Sequence, residues 1–446
     1  LDRSRVLGGV TSVAIAAFLI TFWFVPRGPA PTLHARKKVV FWHMWTAEWK
    51  DVVDRIVARF NSSQTEYEVE ALSVPTAGAD SKFILGVMGG DPPDIMAQWN
   101  PVIPSWADDH LLTPLDELMS PAERAYFYKN AYPVVQKLGI YKGKLYGMSI
   151  GMNMNAMYVQ SDQLRESGLD PNHSITSLEE LDKIGQRLNR FDSHHNLERI
   201  GWFPSSIAEF APLFGGGFFD WKNNRLSIET PQNLAALTYL ADQRKELGYD
   251  QVVRFTSSLD VNSFAGGWPF IAGVYSALPE GQWRVEQIEK YAPELHYKTF
   301  PIPPPVGGVK NSGTCNGNFM IVPRGAKDPK GAWEFIKFWS GLTNPNQAAE
   351  FYTWGGWLPL TPAVAQAPVY QAYLKKYPQF RTFVDLMPSR AMDVLPPVPF
   401  GEFFNDELAK MEDSAERGTM SPAEALHSLA VKVEAEVSRR RELGQG

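Results

Sequence analysis

Residues able to grip a small polar molecule recur in this sequence beside short apolar runs. His43, Trp45 and Glu48 follow one such run, and Gln98 and Trp99 follow another. Asn153 and Asn155 alternate with Met152, Met154 and Ala156, so on a strand their amides share one face. Trp202, Trp268, Trp283, Trp354 and Trp357 each stand next to glycine or a polar residue. An indole offers a flat apolar face for sugar C–H groups, while amide, imidazole and carboxylate groups fix hydroxyls. The chemistry these types support is therefore non-covalent capture of a polyhydroxylated ligand. Core packing is the competing role for every tryptophan, and backbone hydrogen bonding is the competing role for Asn153 and Asn155. Trp42, inside its apolar run, is expected in the core, and Glu402 is expected as a solvated surface carboxylate.

Signals of catalysis are weaker. Gly147-Met148-Ser149-Ile150-Gly151 matches a nucleophile-elbow pattern, which works only between a strand and a helix. Here the following residues alternate like a continuing strand. His194-His195 beside Asp192 lacks a further metal ligand at useful spacing and reads as a polar loop. Asp91 and Asp94 flank two prolines in a turn that feeds a strand. Cys315 is the single cysteine, which excludes an internal disulfide and a Cys-rich zinc site. No phosphate-cradling P-loop is present. Neither an enzyme, nor a metal, nor a cofactor is expected.

The elements that must carry these residues alternate between strand and helix. Val39 to Trp42 forms a buried-strand run; Trp49, Val52, Val53, Ile56, Val57 and Phe60 recur at helical spacing; Tyr67, Val69 and Ala71 alternate with glutamates. Strand, helix and strand within so few residues predict a βαβ unit and a parallel sheet. Ser177 with Glu180 predicts a capping box, and Ser421-Pro422 with Glu424 another. Thr230-Pro231 and Asp328-Pro329 open further helices, stopped at Gly248 and Gly341. Pro301 to Gly308 reads as an extended, surface-exposed loop.

A length of 446 residues predicts more than one compact unit. The net charge of −6 provides no basic footprint for nucleic acid. Fourteen tryptophans among 446 residues exceed ordinary usage and supply the platforms above. From Val6 to Val25 an uncharged apolar stretch follows Arg3 and Arg5, long enough to span a bilayer core of roughly 30 Å. An uncleaved signal-anchor is the preferred expectation, a cleaved signal the alternative.

Four segments, in order, resemble the extracellular solute-binding proteins of sugar ABC importers, the maltose-binding-protein group. These are Val40-Phe41-Trp42-His43 with the helix after it; Gly89-Gly90-Asp91-Pro92-Pro93-Asp94-Ile95; Tyr141-Lys142-Gly143-Lys144-Leu145-Tyr146-Gly147-Met148; and Asn344 to Pro359 with Gly355-Gly356-Trp357-Leu358-Pro359. The sequence departs from the family in lacking a cysteine for lipid attachment. The resemblance implies an α/β, two-lobed periplasmic-binding-protein fold with hinge crossovers, preceded by the N-terminal membrane segment. It places crossings near Ser149 to Gly151, Gly313 to Phe319 and Trp354 to Gly356. The implied division is residues 1–37 as signal and linker, 38–149 plus 317–355 as one lobe, and 150–316 plus 356–446 as the other.

In this reading Trp202 and Gly215-Gly216-Gly217 resemble second-lobe cleft segments, while Trp268 and Trp283 compete for the family's Gly-x-Trp ligand position. The expected function is extracytoplasmic capture of a carbohydrate by a monomer that delivers it to permease subunits. A glycerol-phosphodiester or other polar-metabolite receptor, a secreted carbohydrate-active enzyme and a tethered sensor remain as alternatives.

Overall fold

In the computed structural model, residues 36–74, 77–259 and 267–444 are described, Trp99 and Asn100 by backbone alone. The expected membrane segment, Val6 to Val25, lies outside them. Among the described residues no helix is long and apolar enough to cross a membrane.

In chain order the elements that matter here are β1 (Lys37–His43), α1 (Ala47–Ser63), β2 (Tyr67–Ser73), α2 (Ala79–Met88), β3 (Ile95–Trp99), β4 (Gly147–Gln160), α3 (Leu178–Leu188) and α4 (Pro231–Leu247). There follow β5 (Ala277–Gly281), α5 (Trp283–Tyr291), β6 (Tyr297–Phe300), β7 (Gly313–Ile321), α6 (Pro329–Ser340), α7 (Pro345–Gly355), β8 (Met392–Asp393), α8 (Gly401–Glu416) and α9 (Pro422–Glu442). One eight-stranded sheet runs in the order β5-β4-β7-β3-β1-β2, with β6 also on β4 and β8 also on β7. β1 and β3 are parallel, Phe41 opposite Ile95 and Trp42 opposite Met96, but β7 runs antiparallel to β3 and to β4, and β4 antiparallel to β5 and β6, so the sheet is mixed where a parallel one was expected.

β4 organises the rest. From Gly147 to Met154 it pairs antiparallel with β7; from Asn155 it pairs with β5, and from Met157 with β6. Strand alternation then divides the interior. Ala156 and Tyr158 point into one apolar cluster, shared with Phe41, Trp45, Ile95 and Trp339, while Met157 and Val159 point into a second with Leu181, Phe210, Leu237 and Phe404. Ser149 is buried within this continuous strand, so the elbow-like motif has no turn to expose its hydroxyl.

Helix boundaries follow local chemistry. The Thr230 hydroxyl accepts from Asn233 N–H at the head of α4, and the Asp328 carboxylate does the same from Gly331 at α6, which ends at Gly341 with φ +80°. The Ser421–Glu424 capping box is complete. At α3 only half of the expected box forms: the Ser177 hydroxyl accepts from Glu180 N–H, but the Glu180 carboxylate turns to Thr176 N–H.

Two expectations need correction. The Pro301 to Gly308 segment is a loop, yet Ile302, Pro303 and Pro304 are buried and the Pro304 carbonyl accepts from Leu178 N–H. Proline composition marks irregular backbone and says nothing about what packs over it. Trp42, expected in the core, is half-buried and faces a groove, because Val39, Phe41 and His43 take the inward positions of β1.

Candidate functional site

Two grooves flank the connection from β1 to α1. The first, about 660 Å³, lies at the ends of β1 and β3: Trp42, His43 and Met44 meet Gln98, with Asp80 of α2 alongside. Its other wall is the start of α8, where Glu402, Asn405 and Asp406 face in while Phe404 and Leu408 anchor the helix in the second apolar cluster. The second groove, about 570 Å³, is lined by Glu48, Trp49, Trp283, Glu286, Trp354 and Tyr377, among others.

His43 is the unusual group in the first groove. It is 2% exposed, on the interior face of β1 against the backbone of Trp45. Burial holds the imidazole in its neutral form, pulling its pKa down to about 4. The ring packs on Phe41 and Trp45, its centroid 5.4 and 5.9 Å from theirs, so it belongs to the interior face of β1. Beside it the Gln98 amide donates to the Asp80 carboxylate. Burial, and after it the charge of Glu402, push the Asp80 carboxyl above its usual range.

In the second groove the ring of Trp283 is fixed from below. A Cβ on Gly281 would come within 2.0 Å of Trp283 Cζ3, so only glycine lets the indole lie across the end of β5. The neighbouring Gln282, 1% exposed, donates to the Met152 carbonyl at 3.0 Å and accepts from Met154 N–H at 3.2 Å. Trp283 thus rides on the stretch of β4 where the sheet exchanges partners. Across the groove Trp354 lies beneath the Arg55 guanidinium at 3.5 Å, and the Trp49 indole N–H donates to the Gly355 carbonyl at 3.4 Å. Glu48 is exposed and pairs with Lys290. Glu286 accepts from Tyr373 OH at 2.7 Å, and burial raises its carboxyl.

The remaining candidates are placed elsewhere. Trp45 and Trp357 are buried with Trp339 in one aromatic stack. Trp202 is 3% exposed and donates to Asp182 at 3.0 Å. Trp268 is 2% exposed beneath the Arg284 guanidinium. Asn153 accepts from the Gln282 amide and Asn155 donates to Glu209, each at 3.1 Å. Trp99 ends β3 opposite Asn318. The grooves therefore bring together His43 with Gln98, and Glu48 with Trp283 and Trp354. Sequence reasoning missed Asp80, Asn405, Asp406 and Asn318 in the first groove. It read Glu402 as a solvated carboxylate, and that residue is exposed but at the groove's edge. The signal for Trp49 was masked by its fit to the apolar face of α1. Among the described residues no cluster of His, Cys, Asp and Glu could hold a metal ion.

A strand-end groove walled by tryptophans and carboxylates, on a sheet whose long strands change partners midway, is the arrangement of a solute receptor. The chain belongs to the bacterial extracellular solute-binding proteins, whose family pattern matches residues 55–382. Among curated relatives, the sn-glycerol-3-phosphate-binding periplasmic protein UgpB of Salmonella typhimurium (strain LT2) is 22% identical over 378 residues, 81% of this chain and 82% of its own. UgpB of Escherichia coli K12 is 22% identical over 380 residues, with the same coverage. Among solved structures, CpMnBP1 with mannotriose bound aligns with a TM-score of 0.73 at 22% identity, covering 88% of this chain and 99% of its own. The cyclic alpha-maltosyl-1,6-maltose binding protein of Arthrobacter globiformis gives 0.74 at 21%, over 90% and 99%. The sugar-binding protein MalE of Xanthomonas citri gives 0.74 at 18%, over 92% and 99%. The mixed α/β fold is thus that of the two-lobed sugar-binding proteins, and each of these proteins is a binding protein by its own description.

Proposed function

We propose that this chain is the extracytoplasmic ligand-capturing component of an ABC-type importer, and that it takes up a carbohydrate at the grooves beside β1 and α1. The observation that carries the reading is the convergence, around one short connection, of three half-buried indoles on one side (Trp49, Trp283 and Trp354) and three carboxylates on the other (Asp80, Glu402 and Asp406). Indole faces suit sugar rings, and carboxylates accept from hydroxyls. Capture is reversible and involves no bond chemistry.

In this reading β4 and β7 serve as hinge strands, dividing the chain into 38–149 with 317–355 and 150–316 with 356–446. The walls close over bound sugar to the extent that ligand interacts better with the closed form, and the closed monomer docks on permease subunits. The N-terminal residues would tether it to the outer face of the membrane, and cell fractionation checks that point. Membership in a solute-binding family and the oligosaccharide-bound neighbours support a carbohydrate.

A second reading, a glycerol-phosphate receptor, is favoured by the curated relatives. It requires uncommitted cations. The first groove is lined by neither Lys nor Arg; in the second Lys290 is paired with Glu48, and Lys376, its ammonium 4.6 Å from the Tyr377 ring centroid, is the cation a phosphate would have to use. The test is a thermal-shift and calorimetric screen of mono-, di- and oligosaccharides beside glycerol phosphates. A saccharide at about 100 times its Kd should add about 2.7 kcal/mol of stability by mass action. Stabilisation by a glycerol phosphate and by no sugar would overturn the carbohydrate reading.

A further inference from the structure

We propose that the tryptophan groove continues past Tyr377 into a polar cavity, and that this cavity holds the far end of a saccharide chain. The inference rests on the carbohydrate reading above and specifies the length of the ligand. The cavity, about 360 Å³, lies across α5 from the groove. Trp283, Glu286 and Lys290 of that helix line the groove, while Val285 and Ile288 line the cavity, so α5 is the partition between them. Glu289, near the end of the helix, and Tyr377 line both spaces, which join at that point.

Tyr377 forms the sill of the passage. It follows the helix Pro368–Lys376 and is half-buried, its ring centroid 4.8 Å from that of Tyr373. The Tyr373 hydroxyl donates to the Glu286 carboxylate at 2.7 Å, which ties the sill to the partition. A phenol ring held at such a crossing offers a sugar an apolar face on its way through. Glu289 stands beside it, exposed and with no hydrogen bond or ion pair among the described residues. A carboxylate so placed accepts from hydroxyls.

Past the sill the lining changes from indoles to mixed polar groups. Arg165, on the short helix Ser161–Glu166 after β4, and His296, just before β6, both line the cavity and both bind the Asp162 carboxylate, His296 at 3.0 Å. The Gln379 carbonyl accepts from the Thr299 hydroxyl at 2.7 Å, which fixes Gln379 in the lining. Guanidinium and imidazole, the Gln379 amide and the Glu289 carboxylate set donors and acceptors side by side. Hydroxyls do both and match that set. A monosaccharide fills only one of the two spaces, whereas a chain crossing Tyr377 fills both. Its second contact is then intramolecular, so affinity climbs with length.

Calorimetric titration of the full chain with maltose to maltohexaose and mannobiose to mannohexaose tests this. In at least one series the longest chain should bind about tenfold or more tightly than the disaccharide. The double variant Arg165→Ala/His296→Ala changes two exposed residues that line the cavity and not the groove. It should bring the longest chain to within about threefold of the disaccharide, and leave the disaccharide within about threefold of its parent value. Affinity independent of length, a gain with length that survives the double variant, or a disaccharide weakened as much as the longest chain overturns the inference and leaves the carbohydrate receptor standing. Binding of neither series overturns it as well, and the wider saccharide screen then decides the receptor reading separately.

Discussion

The indole of Trp45 lies 6.0 Å from that of Trp339, the two planes 17° from parallel. Trp357 closes the group at 5.5 Å from Trp339 and 5.8 Å from Trp45. The stack sits beneath the connection that separates the two grooves, so it acts as the floor on which that connection rests. Trp45→Ala should cost roughly 3–5 kcal/mol, the range for removing a large buried side chain. A urea denaturation series checks this, with the midpoint falling and the slope unchanged. A loss below about 1 kcal/mol would mean the indole is not packed as described.

Trp283 should behave in the opposite way. It is half-buried at a groove, so Trp283→Ala should lower saccharide affinity about tenfold or more while shifting the unfolding midpoint less than Trp45→Ala does. Gly281→Ala should reproduce the binding loss without touching the indole itself, because the added methyl would collide with Cζ3 and Cη2 of the ring at 2.0 and 2.1 Å. A Gly281→Ala protein that binds as well as the parent, with unaltered tryptophan fluorescence, would show that the ring's placement is unrelated to capture.

Stability should depend on pH through His43. Its folded pKa, about 4, lies below the ordinary 6.5. Between those values the unfolded chain binds more protons, so stability rises as pH rises through that window and is lost as pH falls from 6.5 toward 4. The full difference is on the order of 3 kcal/mol. His43→Gln should flatten this part of the stability profile, measured by denaturant unfolding at pH 4.5, 5.5 and 7. A profile identical to the parent's would refute the assignment.

Asp94, from the Gly-Gly-Asp-Pro-Pro-Asp segment, is a structural clamp. Its carboxylate accepts from Val40 N–H at 2.8 Å and from Asp328 N–H at 2.7 Å, joining β1 to the head of α6. Asp94→Ala leaves two backbone donors without a partner, with an expected loss of roughly 3 kcal/mol or more. Asp94→Asn, which retains one acceptor, should lose about half as much. Thermal unfolding distinguishes them, and equal stability of parent and Asp94→Ala would exclude the clamp.

The legible part of this protein was the part governed by neighbours in sequence. Alternation at Tyr67, Val69 and Ala71, the helical spacing from Trp49 to Phe60, and the side-chain caps at Thr230, Asp328 and Ser421 follow from dihedral preference and hydrogen bonding within a few residues. The segments around Asp94 and Trp357 were distinctive enough to point to the family.

What the sequence could not rank was the tryptophans. Trp45, Trp283 and Trp357 have alike surroundings in the chain, yet two fill the interior and one faces a groove. Burial of an aromatic ring depends on which distant elements arrive over it: α6 brings Trp339 onto Trp45, and β5 ends under Trp283. The same holds for Asp80 and Glu402, 322 positions apart, which share a groove because α8 packs its apolar face on the second cluster and turns its first residues toward β1. The sequence alone determined the alternating α/β elements, their ends and the family, because those are set by local periodicity and short-range bonds. Tertiary packing decided which rings are floor and which are wall, and which carboxylates face one another, because only long-range contacts remove water from one face of a side chain and leave the other exposed.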